Sequence, residues 1–450
     1  MSQSLVPADR VVPWTSRLKL AALLLPLKTA ISVNDGVLPE STDPGRALHY
    51  VDIGSVDPNG RILGVEELTF AAAPSRARRV PTRGDTIVST VRTYLRAVAY
   101  IDTDDADLVC STGFAVVRSQ GTLLPRYLYY WLRSDLMIDE ICARSVGVSY
   151  PAFNASELGS LPYPDLAKAE QQRIADFLDR KTAVIDELIA RKERLVALLA
   201  EKRQALITQL VAKGLDRSAP MKDSGVHWLG GVPAHWTLKR LKHISPSQTV
   251  GVVVNPSSYY ADEGLPFIFG GNVREGTIDI SGVRRIAPEH DVALAKSRLH
   301  ADDLVVVRVG YPGVAAVVPP TLEGANCASV MIVRRGTFDS RWLCYALNSR
   351  VGRYQVELVQ YGAAQEQFNI SHAVEWRFPV PPHAEQVRIA DAIDERTSVM
   401  TGAASRTETS IDRLREYRQA LITAAVSGQL DVTDERAVGV YDDRVVEAGA

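Results

Sequence analysis

The chain has 450 residues, of which 46% are hydrophobic and 23% charged, and its formal net charge is −2. That length exceeds one ordinary core, so two or more domains are expected, and the composition is that of a soluble globular protein. The near-neutral balance excludes a uniformly basic nucleic-acid binder, so any DNA-contacting patch has to be local.

Leu18 to Leu27 is the first apolar stretch, but Lys19 interrupts it and it is too short to span a bilayer. Pro26-Leu27-Lys28 is no cleavage site of small residues, so a cytoplasmic protein is expected, with no membrane partner. The densest basic cluster follows at Arg76, Arg78, Arg79 and Arg83. Next, Asp85-Thr86-Ile87-Val88-Ser89 reads as a β-strand. Arg92 and Arg96 flank Tyr94 just beyond it. Leu128-Tyr129-Tyr130-Trp131-Leu132 and then Phe153-Asn154 close the first mixed segment, with Asn154 expected to satisfy turn backbone.

From Ala167 to Val211 there is no Gly or Pro, and strong helix formers dominate. Apolar residues at Ile174, Leu178, Ile185, Leu188, Leu195, Leu199 and Leu206 mark a heptad seam. At 1.5 Å per residue such a helix runs roughly 60 Å and needs a partner. Glu170-Gln171 at its start suits a helix N-terminus, where the macrodipole favours an acid. Gly214 to Met221 reads as a linker.

The second half runs in parallel. Phe269-Gly270-Gly271-Asn272 reads as a turn, Arg284-Arg285, Lys296, Arg298 and Arg308 supply cations, and Asp303-Leu304-Val305-Val306-Val307 reads as a strand with Tyr311 after it. Leu343-Cys344-Tyr345-Ala346-Leu347 and Phe368-Asn369 follow. A second long helix is expected with its seam at Ile389, Ile393, Met400, Ala403, Ser410, Leu414 and Leu421, thinner and bent around Gly402. The two seams match in length and period, so the helices are expected to pair as a coiled coil. The tail from Val432 to Ala450 is acidic and aperiodic, and disorder is expected there.

These parallels are one internal repeat. Glu170-Gln171-Gln172-Arg173-Ile174-Ala175-Asp176 returns as Glu385-Gln386-Val387-Arg388-Ile389-Ala390-Asp391, a shift of 215 residues. Arg203-Gln204-Ala205-Leu206-Ile207-Thr208 returns as Arg418-Gln419-Ala420-Leu421-Ile422-Thr423 at the same shift. The helical parts repeat closely and the mixed segments loosely. The expected division is therefore 1–160, 161–216, 217–377, 378–431 and a tail at 432–450.

No catalytic machinery is legible. Asn255-Pro256-Ser257-Ser258-Tyr259 lacks the second proline of a base-flipping methyltransferase loop. No G-x-G-x-x-G follows a strand, and no G-x-x-x-x-G-K-[ST] is present. Cys110, Cys142, Cys327 and Cys344 form no C-x-x-C pair and read as reduced thiols; no metal site is expected.

At Leu161-Pro162-Tyr163-Pro164 with Glu170-Gln171, and again at Phe378-Pro379-Val380-Pro381-Pro382 with Glu385-Gln386, the chain resembles the specificity subunit of type I restriction–modification systems. The copies close at Leu215-Asp216 and Leu430-Asp431. A third signature, Met221-Lys222-Asp223-Ser224-Gly225-Val226-His227-Trp228-Leu229-Gly230 with Pro233-Ala234-His235-Trp236, opens the second half, and Trp14 to Lys19 looks like a reduced version of Trp236 to Lys242. The resemblance implies an α+β fold: two globular α/β target-recognition domains separated by two long antiparallel helices with pseudo-twofold symmetry. It implies a non-enzymatic subunit that binds double-stranded DNA with a bipartite target. Its partners would be two methyltransferase subunits, docked on the helices, and restriction/translocase subunits. S-adenosylmethionine, ATP and Mg²⁺ would sit on those partners and no cofactor on this chain.

Phosphate contacts by cations supply affinity, and groups reaching base edges supply sequence choice. The candidate DNA-binding residues are therefore Arg76, Arg78, Arg79, Arg83, Arg92, Tyr94 and Arg96 in the first half. In the second they are Asn272, Arg284, Arg285, Lys296, Arg298, Arg308, Tyr311, Gln365 and Gln367. The residues alone leave two other readings open: a stand-alone nucleic-acid enzyme with an unrecognised site, and a coiled-coil scaffold.

Overall fold

The computed structural model describes residues 18–20, 22–147, 150–253, 256–290, 293–359 and 367–434. The fold is α+β, with two β-rich modules and two long helices that pack together. The chain divides into two compact units. One comprises residues 1–193 and 407–450 and the other residues 194–406. Each unit thus holds one β-rich module, the N-terminal half of the helix that follows it, and the C-terminal half of the other helix. Most of the expected tail, residues 435–450, lies outside the described residues.

In the first unit, two four-stranded sheets form the module. One orders Ile31–Val33, Phe114–Ser119, Thr86–Ser89 and Val98–Tyr100. The other orders Glu66–Thr69, Ala47–Val51, Leu108–Ser111 and Ala77–Arg79, with Ala47–Val51 and Leu108–Ser111 parallel. The second unit repeats the first sheet as Gln248–Val250, Val330–Val333, Leu304–Val307 and Ala315–Val317. Its other sheet again contains a parallel pair, Leu265–Ile268 with Asn326–Cys327. Thr86–Ser89 and Leu304–Val307 are buried along their whole length because each is an inner strand of its sheet.

A helical hairpin packs on each module: Pro125–Arg133 with Asp135–Arg144, and Ser340–Asn348 with Arg350–Glu357. The aromatic runs noted in the sequence lie on the first helix of each hairpin. They bury Tyr127, Leu128 and Trp131 in one unit and Trp342 and Leu343 in the other. Phe153 and Phe368 are buried at the junction ahead of each long helix, and Asn154 accepts the Ser156 N–H at 3.1 Å.

The long helices span Lys168–Lys213 and His383–Val426. In the first unit they run antiparallel: Asp186 pairs with Arg418 at 3.0 Å and Glu193 with Arg415 at 2.9 Å, so one number rises as the other falls. The second unit does the same. Ile207, Leu210, Val211 and Ala212 share a core with Ile389, Ala390 and Ile393. Gly214, left-handed at φ +74°, ends the first helix beside Glu385 near the start of the second.

The seam departs from the expected heptad. Ile174, Leu178, Ile185, Ile389, Ile393, Leu414 and Leu421 are buried, and Leu199, Leu206 and Met400 half-buried. Leu188 and Leu195 are 41% and 46% exposed instead. Their places facing inward are taken by Ile189, buried, and by Lys192 and Val196, half-buried. A helix turns every 3.6 residues, so an inward face read at 3.5 drifts by about 20° per heptad. Thr182 and Thr397, which the hydrophobic seam omitted, are buried because each returns its hydroxyl to the carbonyl four residues back, at 2.7 Å in both.

No residue from 190 to 206 or from 398 to 410 is buried. The thinning expected around Gly402 is therefore present, but it has a counterpart in the first helix. His383–Val426 is helical without interruption through Gly402, so the expected bend is not marked by a break.

The expected N-terminal counterpart of Trp236–Lys242 also shifts. Trp14 to Arg17 lie outside the described residues. Leu24–Pro26 pairs with Pro162–Pro164 just as Thr237–Arg240 pairs with Arg377–Val380, and a 3-10 turn follows each, at Leu27–Thr29 and Leu241–His243. Leu27-Lys28 thus occupies the position of Leu241-Lys242. Leu24 and the Leu27-Lys28 pair are the residues the two strand-turn segments share, too little for the sequence alone to align them.

Candidate nucleic-acid interface

Each long helix is clamped to a module at both ends, and the clamps obey the 215-residue repeat. Near the start of the first helix, Gln171 accepts the Leu124 N–H at 2.7 Å and Asp179 receives Arg126 at 3.0 Å and the Tyr130 hydroxyl at 2.6 Å. Near the start of the second, Gln386 accepts the Asp339 N–H at 2.9 Å, and Asp394 receives Arg341 at 2.8 Å and the Tyr345 hydroxyl. Near the helix ends, Gln204 donates to the Asn348 carbonyl at 2.6 Å and Gln419 to the Arg133 carbonyl at 2.8 Å. Thr208 accepts the Arg350 N–H at 3.2 Å and Thr423 the Asp135 N–H at 3.0 Å. Glu170-Gln171 and its copy are therefore attachment points as well as helix starts: Glu385 takes the Trp236 indole N–H at 3.1 Å and lies 2.8 Å from His235.

Just past the buried strand, each module carries an exposed turn. In the first it is Thr93–Leu95, flanked by Arg92 and Arg96 at φ +53° and +58°. Left-handed backbone at two non-glycine residues is held by surrounding structure and clusters at functional sites. Here Arg92 N–H donates to the Pro151 carbonyl at 2.8 Å and Val91 bridges Ala152. Tyr94 is 56% exposed, and the Arg92 guanidinium lies 4.7 Å from the centre of the Tyr150 ring. In the second module glycines take the left-handed positions, Gly310 and Gly313, and Tyr311 between them is 82% exposed. Val309 bridges Gln367 there, as Val91 bridges Ala152.

Beside Tyr311 lies a cleft of about 640 Å³ lined by Gly270, Gly271, Arg274, Val309 and Arg353. Sequence reasoning passed over Arg274 and Arg353 because neither belongs to a basic run. Arg353 is oriented by Glu275 at 3.2 Å, and Glu275 also faces Arg203 of the first long helix at 3.7 Å.

The other candidates are placed as follows. Arg83 is paired with Asp102 and Asp104, at 3.1 and 2.8 Å, and Arg76 with Asp52 at 3.3 Å. Hydrogen bonds donated to Asp102 and Asp104 hold the Arg83 guanidinium pKa above its ordinary value; for Arg76 the bond to the Tyr50 hydroxyl is the larger cause, ahead of Asp52. Arg78 stacks on Phe70 at 4.6 Å, and the half-buried Arg79 has its Nε buried. Two arginines of the densest run are thus paired with aspartates 24, 19 and 21 residues away in sequence. Arg96 pairs with Asp135. Arg284 stacks on Tyr260 at 4.7 Å, Arg285 donates to the Gly264 carbonyl at 2.8 Å and Arg308 to the Phe368 carbonyl at 3.4 Å. Lys296 is exposed and Arg298 half-buried, and their backbone carbonyls accept from Arg334. The Asn272 side chain closes its own turn on the Phe269 N–H at 3.0 Å. Gln365, like Asn255, lies outside the described residues.

The thiols of Cys110, Cys327 and Cys344 are buried, which pushes each up to about 12 and keeps them protonated. Among the described residues no group of His, Cys, Asp or Glu is placed to hold a metal ion, and no helix is long and apolar enough to cross a membrane.

A family model described as the type I restriction modification DNA specificity domain matches residues 75–196, from the first module into the first long helix. The EcoBI type I restriction enzyme specificity subunit of Escherichia coli is 24% identical over 318 residues, covering 68% of this chain and 65% of that one. The StySPI specificity subunit of Salmonella potsdam is 24% identical over 345 residues, 71% of this chain and 69% of that one. The matches thus span about two thirds of those relatives' length. A solved chain from work on assembly and conformational transition of the type I R-M system shares the fold with a TM-score of 0.62, at 23% identity, over 91% of this chain and 98% of that one.

Two β-rich modules and two long helices are the architecture of the solved type I R-M chain that this fold matches, and residues 75–196 match the DNA specificity domain. Over these stretches the chain is similar to the specificity subunits of type I restriction–modification systems. In that family the cofactors reside on the methyltransferase and restriction subunits.

Proposed function

We propose that this chain reads a bipartite duplex target, one half with each recognition domain (1–160 and 217–377), in a cytoplasmic complex. The observation that carries this reading is the pairing of a strictly repeated frame with a divergent exposed turn. The clamps recur residue for residue, whereas Arg92–Arg96 and Val309–Gly313 share a location and an exposed tyrosine but little else. Kept framework and varied tips suit two readers of different sequence held alike.

The long helices are the spacer and the docking surface for two methyltransferase subunits, with restriction/translocase subunits joining them. Exposed Val184 and Leu188 on the first unit's segment, and Leu195 and Leu198 on the second's, support docking, since apolar side chains on a soluble surface mark contact sites when they line up. S-adenosylmethionine, ATP and Mg²⁺ then act on the partners.

Methylome sequencing of a host expressing the chain with its methyltransferase tests the proposal. One split motif is expected, and uniform or absent methylation contradicts it. For the turns, Arg92→Ala should weaken binding to all duplexes and lower the salt slope by about 1, as expected for loss of one phosphate contact. Anisotropy titrations across a salt series check this; an unchanged slope removes Arg92 from the interface.

A further inference from the structure

We infer that Asp135 is a positioning residue that ties the first module's reading turn to the second long helix. The inference rests on that turn contacting DNA. Asp135 begins the second hairpin helix of the first module and faces two ways. One carboxylate oxygen receives the Arg96 guanidinium. The other receives the Thr423 hydroxyl at 3.1 Å, and the Asp135 N–H donates to that same hydroxyl oxygen at 3.0 Å. Arg96 is the residue whose left-handed backbone closes the Thr93–Leu95 turn. A continuous path therefore joins Thr423 on the helix, through Asp135, to the base of the turn that presents Tyr94.

The turn is fixed on its other side as well. The Thr93 hydroxyl lies 2.9 Å from that of Ser145, and Thr93 is buried. With one flank packed, the orientation of the tip depends on what holds the Arg96 flank. A carboxylate shared between a guanidinium and a hydroxyl fixes direction better than an isolated surface pair, because each partner restricts the rotamer used by the other.

The second module keeps only half of this device. The residue 215 positions after Asp135 is Arg350, whose N–H donates to Thr208 at 3.2 Å. Its guanidinium turns to Glu357 at 2.6 Å, and its turn uses glycines in place of left-handed arginines. The backbone clip is common to both modules; the carboxylate bridge belongs to the first. Disturbing the bridge should therefore alter discrimination in one half of the target only.

The test uses the full chain assembled with its methyltransferase subunits, and duplexes carrying single-base changes in either half of the methylated motif. Asp135→Asn keeps the shape and the N–H bond to Thr423 but removes the charge facing Arg96. Thr423→Val removes the hydroxyl, and Thr423→Ser restores it. For Asp135→Asn and Thr423→Val we expect the cognate-over-substituted ratio to fall about tenfold in the first half-site, the size of one mismatch contribution, and to stay within about twofold in the second. Thr423→Ser should recover the parental ratio. If Tyr94→Ala degrades the first half-site while Asp135→Asn and Thr423→Val leave it unchanged, the positioning role is overturned. If Tyr94→Ala also leaves the ratio unchanged and Arg92→Ala leaves the salt slope unchanged, the turn does not contact DNA and the underlying reading fails instead. Equal loss in both half-sites that Thr423→Ser does not repair also overturns the inference, since that is general damage.

Discussion

Trp236→Ala should destabilise the second unit by about 3–5 kcal/mol, the cost of emptying a fully buried aromatic site. Trp236 is 0% exposed. Its indole N–H donates to Glu385 at 3.1 Å and its ring lies 3.0 Å from where a side chain at Gly214 would begin. It therefore fills the space between the end of the first long helix and the start of the second. Its carbonyl also accepts the Lys222 ammonium at 2.6 Å, tying down the strand that opens this half. Trp236→Phe retains most of the packing but leaves Glu385 without the indole, and should cost about 1.5–3 kcal/mol, the range for a hydrogen bond to a charged group. Urea unfolding with hydrogen exchange across the second unit measures both. A loss below about 1 kcal/mol for Trp236→Ala contradicts this assignment. In the first unit the smaller Leu20 meets the equivalent glycine, Gly428 at φ +71°, and Lys19 N–H donates to the Ser427 carbonyl at 2.9 Å. Less volume is buried there, so truncating Leu20 should cost less than truncating Trp236.

Removing seven residues from the middle of both long helices should abolish recognition of the parental target. Seven residues are about two helical turns, so the packed faces stay within roughly 20° of register while the helix loses about 10.5 Å. On duplex DNA that length is about three base pairs, which rotates the second half-site by roughly 100° about the duplex axis. The reading turns cannot follow such a rotation with clamps at Gln171, Gln204, Gln386 and Gln419 holding each module on its helix ends. Methylome sequencing should show a motif with a different spacer, or none. An unaltered spacer removes the helices from the role of ruler.

Much of the frame is legible in the amino-acid sequence alone. The Gly- and Pro-free run from Ala167 to Val211, the β-branched strands and the 215-residue repeat each rest on local chemistry: helix propensity, strand propensity and chain order. The clamps show in the sequence only as unexplained identity. Gln171 and Gln386, Asp179 and Asp394, Gln204 and Gln419, and Thr208 and Thr423 all lie in repeated segments. Their partners, such as Arg126 for Asp179 and Asp135 for Thr423, are 53 and 288 residues away. No periodicity reports a contact of that range.

The candidate interface shows the opposite case. Clustering along the chain singled out Arg76 to Arg83, yet two of those side chains face aspartates brought in by folding. Arg274 and Arg353 stand alone in sequence and meet only at the cleft beside Tyr311. The duplication and the two long helices follow from composition, periodicity and chain order, and the family resemblance from recognised motifs; all are properties of the linear chain. Which face of each helix is buried, which arginines are neutralised and which turn each module exposes are settled only by folding. Those outcomes depend on side chains meeting across strands and helices, and an acid–base pair or a packed ring exists only once the chain has brought its members together.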